Sequence, residues 1–96
     1  MAAYVLGEIE ITDAAGYGEY TKQVPATIAK YGGRFLVRGG ANEALEGDWP
    51  KLRRVVLEFP TMEAARNWWS SPDYEKPKAM RQAASKGRLL LMEGAA

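Results

Sequence analysis

The sequence contains no cysteine and no histidine. Without cysteine there is no disulfide, no thiolate nucleophile, and no sulfur ligand for zinc or an iron–sulfur cluster. Without histidine there is no imidazole ligand for a metal or haem, and no Ser-His-Asp triad. Any chemistry must therefore use carboxylate, arginine, lysine, tyrosine, serine or threonine side chains, or a substrate that reacts once it is positioned. We expect no metal and no cofactor.

The sequence also lacks a strong charge and long apolar runs. It has 13 lysines and arginines against 12 acidic residues, a net charge of +1, which is too weak to attract nucleic acid. It has no apolar run of about 18 residues, and no basic and apolar leader precedes the first predicted strand. We expect a cytoplasmic protein that binds neither nucleic acid nor membrane.

Sequence patterns divide the chain into strands and helices. Its 96 residues are the size of one domain, so we expect a single domain over residues 1–96. β-branched and aromatic residues predict strands at 4–11, 34–39, 52–59 and 88–93. Helical spacing with capping residues predicts helices at 13–31, 62–69 and 71–86. Pro25 lacks the N–H that an interior helical residue donates, so it predicts a bend or break after Gln23.

The element order is β-α-β-β-α-β, with the second helix in two pieces. This order is typical of the ferredoxin-like α+β fold, in which a four-stranded antiparallel sheet carries its helices on one face. Strict alternation turns Val37 and Ile11 toward the helices. The same alternation places both apolar and charged residues on the opposite face: Leu6, Glu8, Leu36, Arg38, Arg54, Val56, Glu58 and Leu90. Because such a face would leave apolar area in water, we expect a homodimer with its sheets face to face.

The charged residues of that face predict a polar site. Folding the hairpin between the second and third strands places Arg38 beside Arg54 and Arg34 beside Glu58. Two neighbouring arginines repel each other unless a negative group lies between them. That group is either a carboxylate of the chain, Glu8 or Glu58, or the carboxylate or phosphate of a ligand.

A second cluster combines aromatic residues with one arginine. Trp68 and Trp69 precede a helix start at Ser71, and Arg81 lies seven residues beyond Tyr74 on the same helical face. One hypothesis makes the aromatic rings anchors of the core. The other makes them a wall for a planar ligand, with Arg81 or Ser71 as polar contacts. The first helix carries a stripe of tyrosines that we interpret as packing residues: Tyr17, Tyr20 and Tyr31.

Several separate motifs together resemble a known family. They are residues 31–40 (YGGRFLVRGG), 45–50 (LEGDWP), 55–60 (VVLEFP) and 71–74 (SPDY). The chain resembles the domain-of-unknown-function family 1330, which looks like part of the dimeric α/β-barrel superfamily. The resemblance implies sheets paired across a two-fold axis. Superfamily relatives include small monooxygenases, isomerases, and dechlorinating or haem-using enzymes, and the missing histidine excludes the haem-using role here.

The resemblance supplies matching positions but no activity. Trp69 stands where relatives often carry tyrosine, and Asp73 stands where they often carry glutamate, which are mild departures. Glu46 in the long connection also matches the family pattern. Together with the two clusters, the resemblance gives these candidate ligand-binding residues: Arg38, Arg53, Arg54, Glu58, Trp68, Ser71, Tyr74 and Arg81.

These patterns allow three functions. The first is a homodimeric domain with a pocket between sheet and helices for a small anionic or aromatic molecule. The second is a cofactor-free enzyme of the monooxygenase or isomerase kind, in which Tyr74 or Glu58 moves a proton. The third is a structural or interaction module without a ligand.

Overall fold

The computed structural model describes residues 1–95, and these form one antiparallel sheet with helices on one side. The strands are β1 (Ala3–Ile11), β2 (Arg34–Arg38), β3 (Arg53–Phe59) and β4 (Ser85–Glu93). The helices are α1 (Ala14–Lys30), α2 (Met62–Trp69) and α3 (Pro72–Ala84). The strand order across the sheet is β2-β3-β1-β4. The predicted ferredoxin-like α+β fold is confirmed.

Side-chain caps fix the start of every helix in residues 1–95. The side chains of Asp13, Thr61 and Ser71 each accept a hydrogen bond from the backbone N–H three residues later, which satisfies a donor that the helix itself leaves free. The chain leaves α1 through Gly32, whose φ of 78° lies in the left-handed region that glycine adopts without strain.

Of the bend or break predicted after Gln23, the break is wrong, because α1 runs without interruption from Ala14 to Lys30. Proline removes one backbone hydrogen bond, the one to the carbonyl of Thr21. Buried side chains hold the helix on both sides of that gap: Tyr20 and Val24 before it, and Ile28 after it. Tertiary packing of this buried stripe therefore outweighs the local cost of the proline.

The last strand begins earlier than predicted. Ser85 already pairs with Ile11 of β1, three residues before the expected start at Arg88. The carbonyl of Ala84 accepts hydrogen bonds from the N–H groups of Thr12 and Asp13. These hydrogen bonds join the end of α3 to the start of α1. Because α3 ends at Ala84 and β4 begins at Ser85, no loop separates them.

Large side chains between the sheet and the helices form the core. Trp68, Tyr74, Phe59 and Ile28 are its largest fully buried residues. The Trp68 and Tyr74 rings are stacked with their centroids 4.2 Å apart, and the Trp68 Nε1 donates to the Thr27 hydroxyl at 3.1 Å. The buried indole N–H therefore has the partner that its burial requires.

A β-bulge in β2 changes which residues face the helices. Phe35 pairs with Leu57, but the next paired residue is Val37, opposite Val56, and Arg38 follows opposite Val55. The extra residue inverts the alternation beyond it. Val37 consequently faces away from the helices, and Arg38 turns toward them. Both assignments are the reverse of those predicted.

The sheet face away from the helices, called the open face below, is partly apolar. It leaves several large apolar side chains 41–56% exposed: Leu36, Val37, Leu90 and Met92. Charged side chains lie among them, with the Glu8 carboxylate between two arginines. Across residues 1–95, no helix has the length and apolar character needed to cross a bilayer.

Candidate functional site

A cavity lies between the sheet and the helices, and arginines supply its charge. Its volume is about 40 Å³. Three arginines line it, Arg38, Arg53 and Arg81, and it is called the arginine cavity below. The remaining lining is mainly apolar and aromatic: Val5, Ile9, Tyr17, Tyr20, Val24, Ile28, Phe35, Val55, Leu57, Trp68, Tyr74 and Leu89.

Arg38 and Arg53 come from the adjoining ends of β2 and β3. The Arg38 guanidinium lies 4.3 Å from the centre of the Phe35 ring, and that of Arg53 lies 5.6 Å from the Tyr17 ring. Gly39, with a φ of 68°, packs against the Arg53 guanidinium, where a Cβ would collide with it. Within residues 1–95, the buried Nε of Arg53 has no hydrogen-bond partner. This buried donor is therefore left unsatisfied.

Arg81 belongs to the buried part of the cavity. Its residue is 5% exposed, and its Nε donates to the Tyr74 hydroxyl at 3.4 Å. The Tyr74 hydroxyl is also 3.0 Å from that of Tyr20. Burial and the neighbouring Tyr74 raise the pKa of Tyr20 above the ordinary range of a phenol. Tyr20 therefore stays protonated and acts as a neutral hydrogen-bond donor or acceptor.

The arginine cavity has positive charge without a negative counterpart. None of its lining residues is acidic. The ion pairs found within residues 1–95 use other cations: Lys22, Lys30, Arg34, Arg54 and Arg88. Buried charge is costly unless a hydrogen-bonding partner of opposite sign accompanies it. The cavity is therefore suited to an anion, which guanidinium groups bind through paired N–H donors.

Two predicted ligand-binding residues lie on the open face instead. The Arg54 Nε is 3.1 Å from one Glu8 carboxylate oxygen, and an Arg88 Nη is 2.8 Å from the other. Hydrogen bonds from Arg88 and Arg54 hold the pKa of Glu8 below its usual range despite the opposing effect of burial. Glu58 pairs with Arg34 at 2.8 Å, and hydrogen bonds from Arg34 and Tyr4 lower its pKa.

These contacts decide between the two hypotheses for the charged strand residues. The predicted Arg34–Glu58 pairing is confirmed, whereas the Arg38–Arg54 pairing is wrong, because the bulge turns Arg38 to the other face. The negative partner of Arg54 is Glu8, a residue of the chain itself. Glu58 lies outside the cavity lining, so it is not placed to move a proton there.

The aromatic cluster serves both the core and the cavity. Trp68 and Tyr74 are buried anchors that also line the cavity. Trp69 is 40% exposed, with the Lys78 ammonium 4.2 Å from its ring centre. Ser71 is a cap: its hydroxyl donates to the Trp68 carbonyl and accepts from the Tyr74 N–H. It does not line the cavity.

Sequence reasoning missed the role of Tyr20. Its spacing with Tyr17 and Val24 indicates a packing stripe, and the structure does bury all three. The hydroxyl contact of Tyr20 with Tyr74 joins residues 54 positions apart, and nothing in either local sequence signals it. In the part of the chain that the structure describes, no three acidic side chains lie close enough together to hold a metal ion.

The four-stranded antiparallel sheet and its single helical layer define a ferredoxin-like α+β domain. The chain belongs to the family described as "Domain of unknown function (DUF1330)", whose pattern matches residues 2–95. The resemblance stated from the sequence motifs is thereby confirmed. No curated protein is similar enough in sequence to match the chain.

Several solved structures share the fold at low sequence identity. The RPA0582 protein of unknown function from Rhodopseudomonas palustris is 19% identical, with a TM-score of 0.80 over 99% of this chain and 83% of that one. SnoaB, a cofactor-independent oxygenase from Streptomyces nogalater, is 14% identical, with a TM-score of 0.65 over 99% and 94%. A dimeric ferredoxin-like protein of unknown function from Jannaschia sp. CCS1 is also 14% identical, with a TM-score of 0.68 over 98% and 100%.

Proposed function

We propose that the protein is a homodimeric domain that binds a small organic anion in the arginine cavity. The observation that carries this proposal is the meeting of Arg38, Arg53 and Arg81 in one lining that contains no acidic residue. The unpartnered Nε of Arg53 supports it, because a buried donor without a partner costs about 1–3 kcal/mol. An anion bound to the guanidinium groups would supply the missing negative charge. The proposal includes a cytoplasmic location, in keeping with a chain free of cysteine.

The lining of the cavity favours a carboxylate carried on an apolar body. Three arginines supply the positive charge, and the rest of the lining is mainly apolar and aromatic, which is the usual composition of a small-molecule site. The lining residues Arg38, which is exposed, and Phe35, which is half-buried, offer a surface on which the apolar body would pack.

Ligand-induced stabilisation tests this proposal. Thermal unfolding is followed in acetate, pyruvate, benzoate and phosphate, each against chloride at equal ionic strength. A ligand at about 100 times its Kd adds about 2.7 kcal/mol to the free energy of unfolding, which raises Tm by more than 10 °C in a domain of this size at roughly 4–8 °C per kcal/mol. We expect carboxylates to stabilise the protein more than phosphate does.

Arginine variants separate site binding from general salt effects. Replacement of Arg53 by Gln removes the cationic donor of the half-buried residue and should abolish carboxylate stabilisation. Lys76→Gln is the control, because it also removes one positive charge, and Lys76 is exposed on α3 and lies outside the cavity. Equal stabilisation of both variants by carboxylate would contradict the proposed site.

The open face supports the proposed homodimer. Its apolar side chains, including Leu90 at 56% exposed, would gain about 25 cal/mol for each Å² of apolar area covered. The similar Jannaschia protein is described as dimeric. Sedimentation equilibrium should give a dimer for the natural sequence and a monomer for Leu90→Asp. The control Ala83→Asp places the same charge at an exposed position of α3 and should remain dimeric.

A second candidate is a cofactor-free enzyme that uses the same cavity. The hydroxyl pair of Tyr20 and Tyr74 beside Arg81 favours it, because donors of this kind stabilise negative charge that develops on a bound oxygen. SnoaB, which shares the fold, is a cofactor-independent oxygenase. Consumption of a stabilising ligand, followed by mass spectrometry, would favour the enzyme. Stabilisation without consumption favours the binding domain. The absence of both stabilisation and consumption favours a structural module.

A further inference from the structure

A second hollow lies beside the edge strand β4, between that strand and helices α2 and α3. Its volume is about 620 Å³. Arg66, Arg81 and Arg88 line it together with Trp69 and Leu91, and it is called the basic groove below. No acidic residue lines it. Arg88 already pairs with Glu8 on the open face, whereas Arg66 is exposed and forms no ion pair within residues 1–95. Arg66 therefore presents the free positive charge of the groove to solvent, and the groove is suited to an acidic and partly apolar partner.

The connection between β2 and β3 has the complementary character. Residues 39–52, called the acidic loop below, contain Glu43, Glu46 and Asp48 against the single cation Lys51. Leu45 at its tip is 94% exposed. A large apolar side chain that is almost wholly exposed between acidic residues is a typical contact residue of a partner surface.

The acidic loop has a defined shape. Gly47 has a φ of 85°, and the Trp49 Nε1 donates to the Glu46 carbonyl at 2.7 Å, which together form a turn. An Arg54 Nη donates to the Pro50 carbonyl at 2.9 Å and ties the base of the loop to β3. Because the turn is already formed, less conformational entropy is lost when the loop docks.

The loop does not reach the groove of its own subunit along the sheet. It joins β2 to β3, whereas the groove flanks β4, at the opposite edge in the order β2-β3-β1-β4. Two sheets that pack face to face are either nearly aligned or cross at close to 90°. In the crossed arrangement, the loop at the end of β2 in one subunit would lie beside the β4 edge of the partner.

We propose that the acidic loop of each subunit docks into the basic groove of its partner. Leu45 contacts the apolar floor near Leu91, while Glu46 meets Arg66. Two-fold symmetry makes the contact twice in each dimer. This inference rests on the homodimer proposed above, and it adds the loop as an arm that fixes the relative orientation of the two sheets.

The natural absence of cysteine allows a direct test by disulfide trapping. Glu46→Cys protein labelled with ¹⁵N is mixed with unlabelled Arg66→Cys protein, and subunits are allowed to exchange before mild oxidation. We expect the mixed disulfide dimer, identified by its mass, to dominate over both self-linked species. The matched control replaces Arg66→Cys by Lys22→Cys, an exposed position on α1, and should give no more than collisional cross-linking.

Sedimentation of the same proteins separates this inference from the dimer itself. A dimer in which Glu46→Cys links to Arg66→Cys no faster than to Lys22→Cys would contradict the docking of the acidic loop. It would not contradict the homodimer. A monomer would overturn both. Leu45→Asp supplies a second measurement: we expect its dimer Kd to rise at least tenfold, and an unchanged Kd would also overturn the arm.

Discussion

Gly33 lies directly beneath core side chains, with no room for a larger residue. A Cβ at this position would stand 2.6 Å from the Phe59 Cε1 and 2.8 Å from the Ile28 Cγ2. Gly33→Ala should therefore lower the free energy of unfolding by about 1–3 kcal/mol through overpacking. The control is Gly18→Ala in α1, where a Cβ would meet nothing within 4 Å and should stabilise by about 0.5–1 kcal/mol. Urea unfolding measures both, and shifts of the same sign would contradict the prediction.

Ser71 connects two helices through one hydroxyl, so we expect its replacement to affect stability rather than binding. Ser71→Ala removes the cap of α3 and the hydrogen bond to the Trp68 carbonyl, which should cost about 1 kcal/mol. Carboxylate stabilisation, expressed as a shift in Tm, should be unchanged, because Ser71 lies outside the cavity lining. Loss of that shift in a folded Ser71→Ala protein would show that Ser71 takes part in binding.

At the scale of the element, α1 carries a proline at a position where a helix normally donates a hydrogen bond. Pro25→Ala restores the donor to the Thr21 carbonyl and should raise the free energy of unfolding by about 1–3 kcal/mol. Pro72→Ala provides the contrast, because Pro72 begins α3, where no N–H is needed. That change should lower stability by about 0.4–1 kcal/mol. Chemical denaturation distinguishes the two, and a loss of stability in Pro25→Ala would show that the proline ring contributes packing.

Element order, helix caps and most strand positions follow from local patterns, and so the sequence predicts them. The face on which each strand residue lies is predicted from the alternation of side chains along the strand. A single bulge makes that prediction wrong for the residues that follow it. Leu36 is the extra residue of β2, so every later residue of that strand changes face. Nothing local marks Leu36 as a bulge, since its neighbours Phe35 and Val37 are ordinary strand residues.

The candidate site shows the same limit. Five of the predicted binding residues line one cavity: Arg38, Arg53, Trp68, Tyr74 and Arg81. The alternation of side chains had nevertheless placed Arg38 on the wrong face. The cavity exists because the bulge turns Arg38 inward and because Gly39 leaves space for the Arg53 guanidinium. Both causes depend on three-dimensional contacts that spacing along the chain does not encode.

For the whole molecule, the open face is also an acid-sensitive surface. The Glu8 carboxylate, with its side chain 11% exposed, lies between the guanidinium groups of Arg54 and Arg88. Its lowered pKa means that this stabilisation is complete above the ordinary pKa of a glutamate, about 4.3, and is lost as the pH falls through the lowered value. The pKa of the Glu58 carboxylate beside Arg34 is also lowered, so its stabilisation is lost in the same direction of pH. Protonation of both leaves the open face positive.

In the proposed dimer, two such faces meet, so acid should separate the subunits before it unfolds them. We expect the dimer Kd measured by sedimentation to change little down to about pH 4.3 and to increase as the pH falls further, while far-ultraviolet circular dichroism changes little. Glu8→Gln should weaken the dimer at pH 7 and reduce its dependence on pH, since one of the two titrating carboxylates is gone. The control Glu19→Gln alters an exposed α1 carboxylate that pairs with Lys22 alone among residues 1–95, so it should behave like the natural protein. A Glu8→Gln dimer with an unaltered pH profile would show that Glu8 does not carry the acid sensitivity.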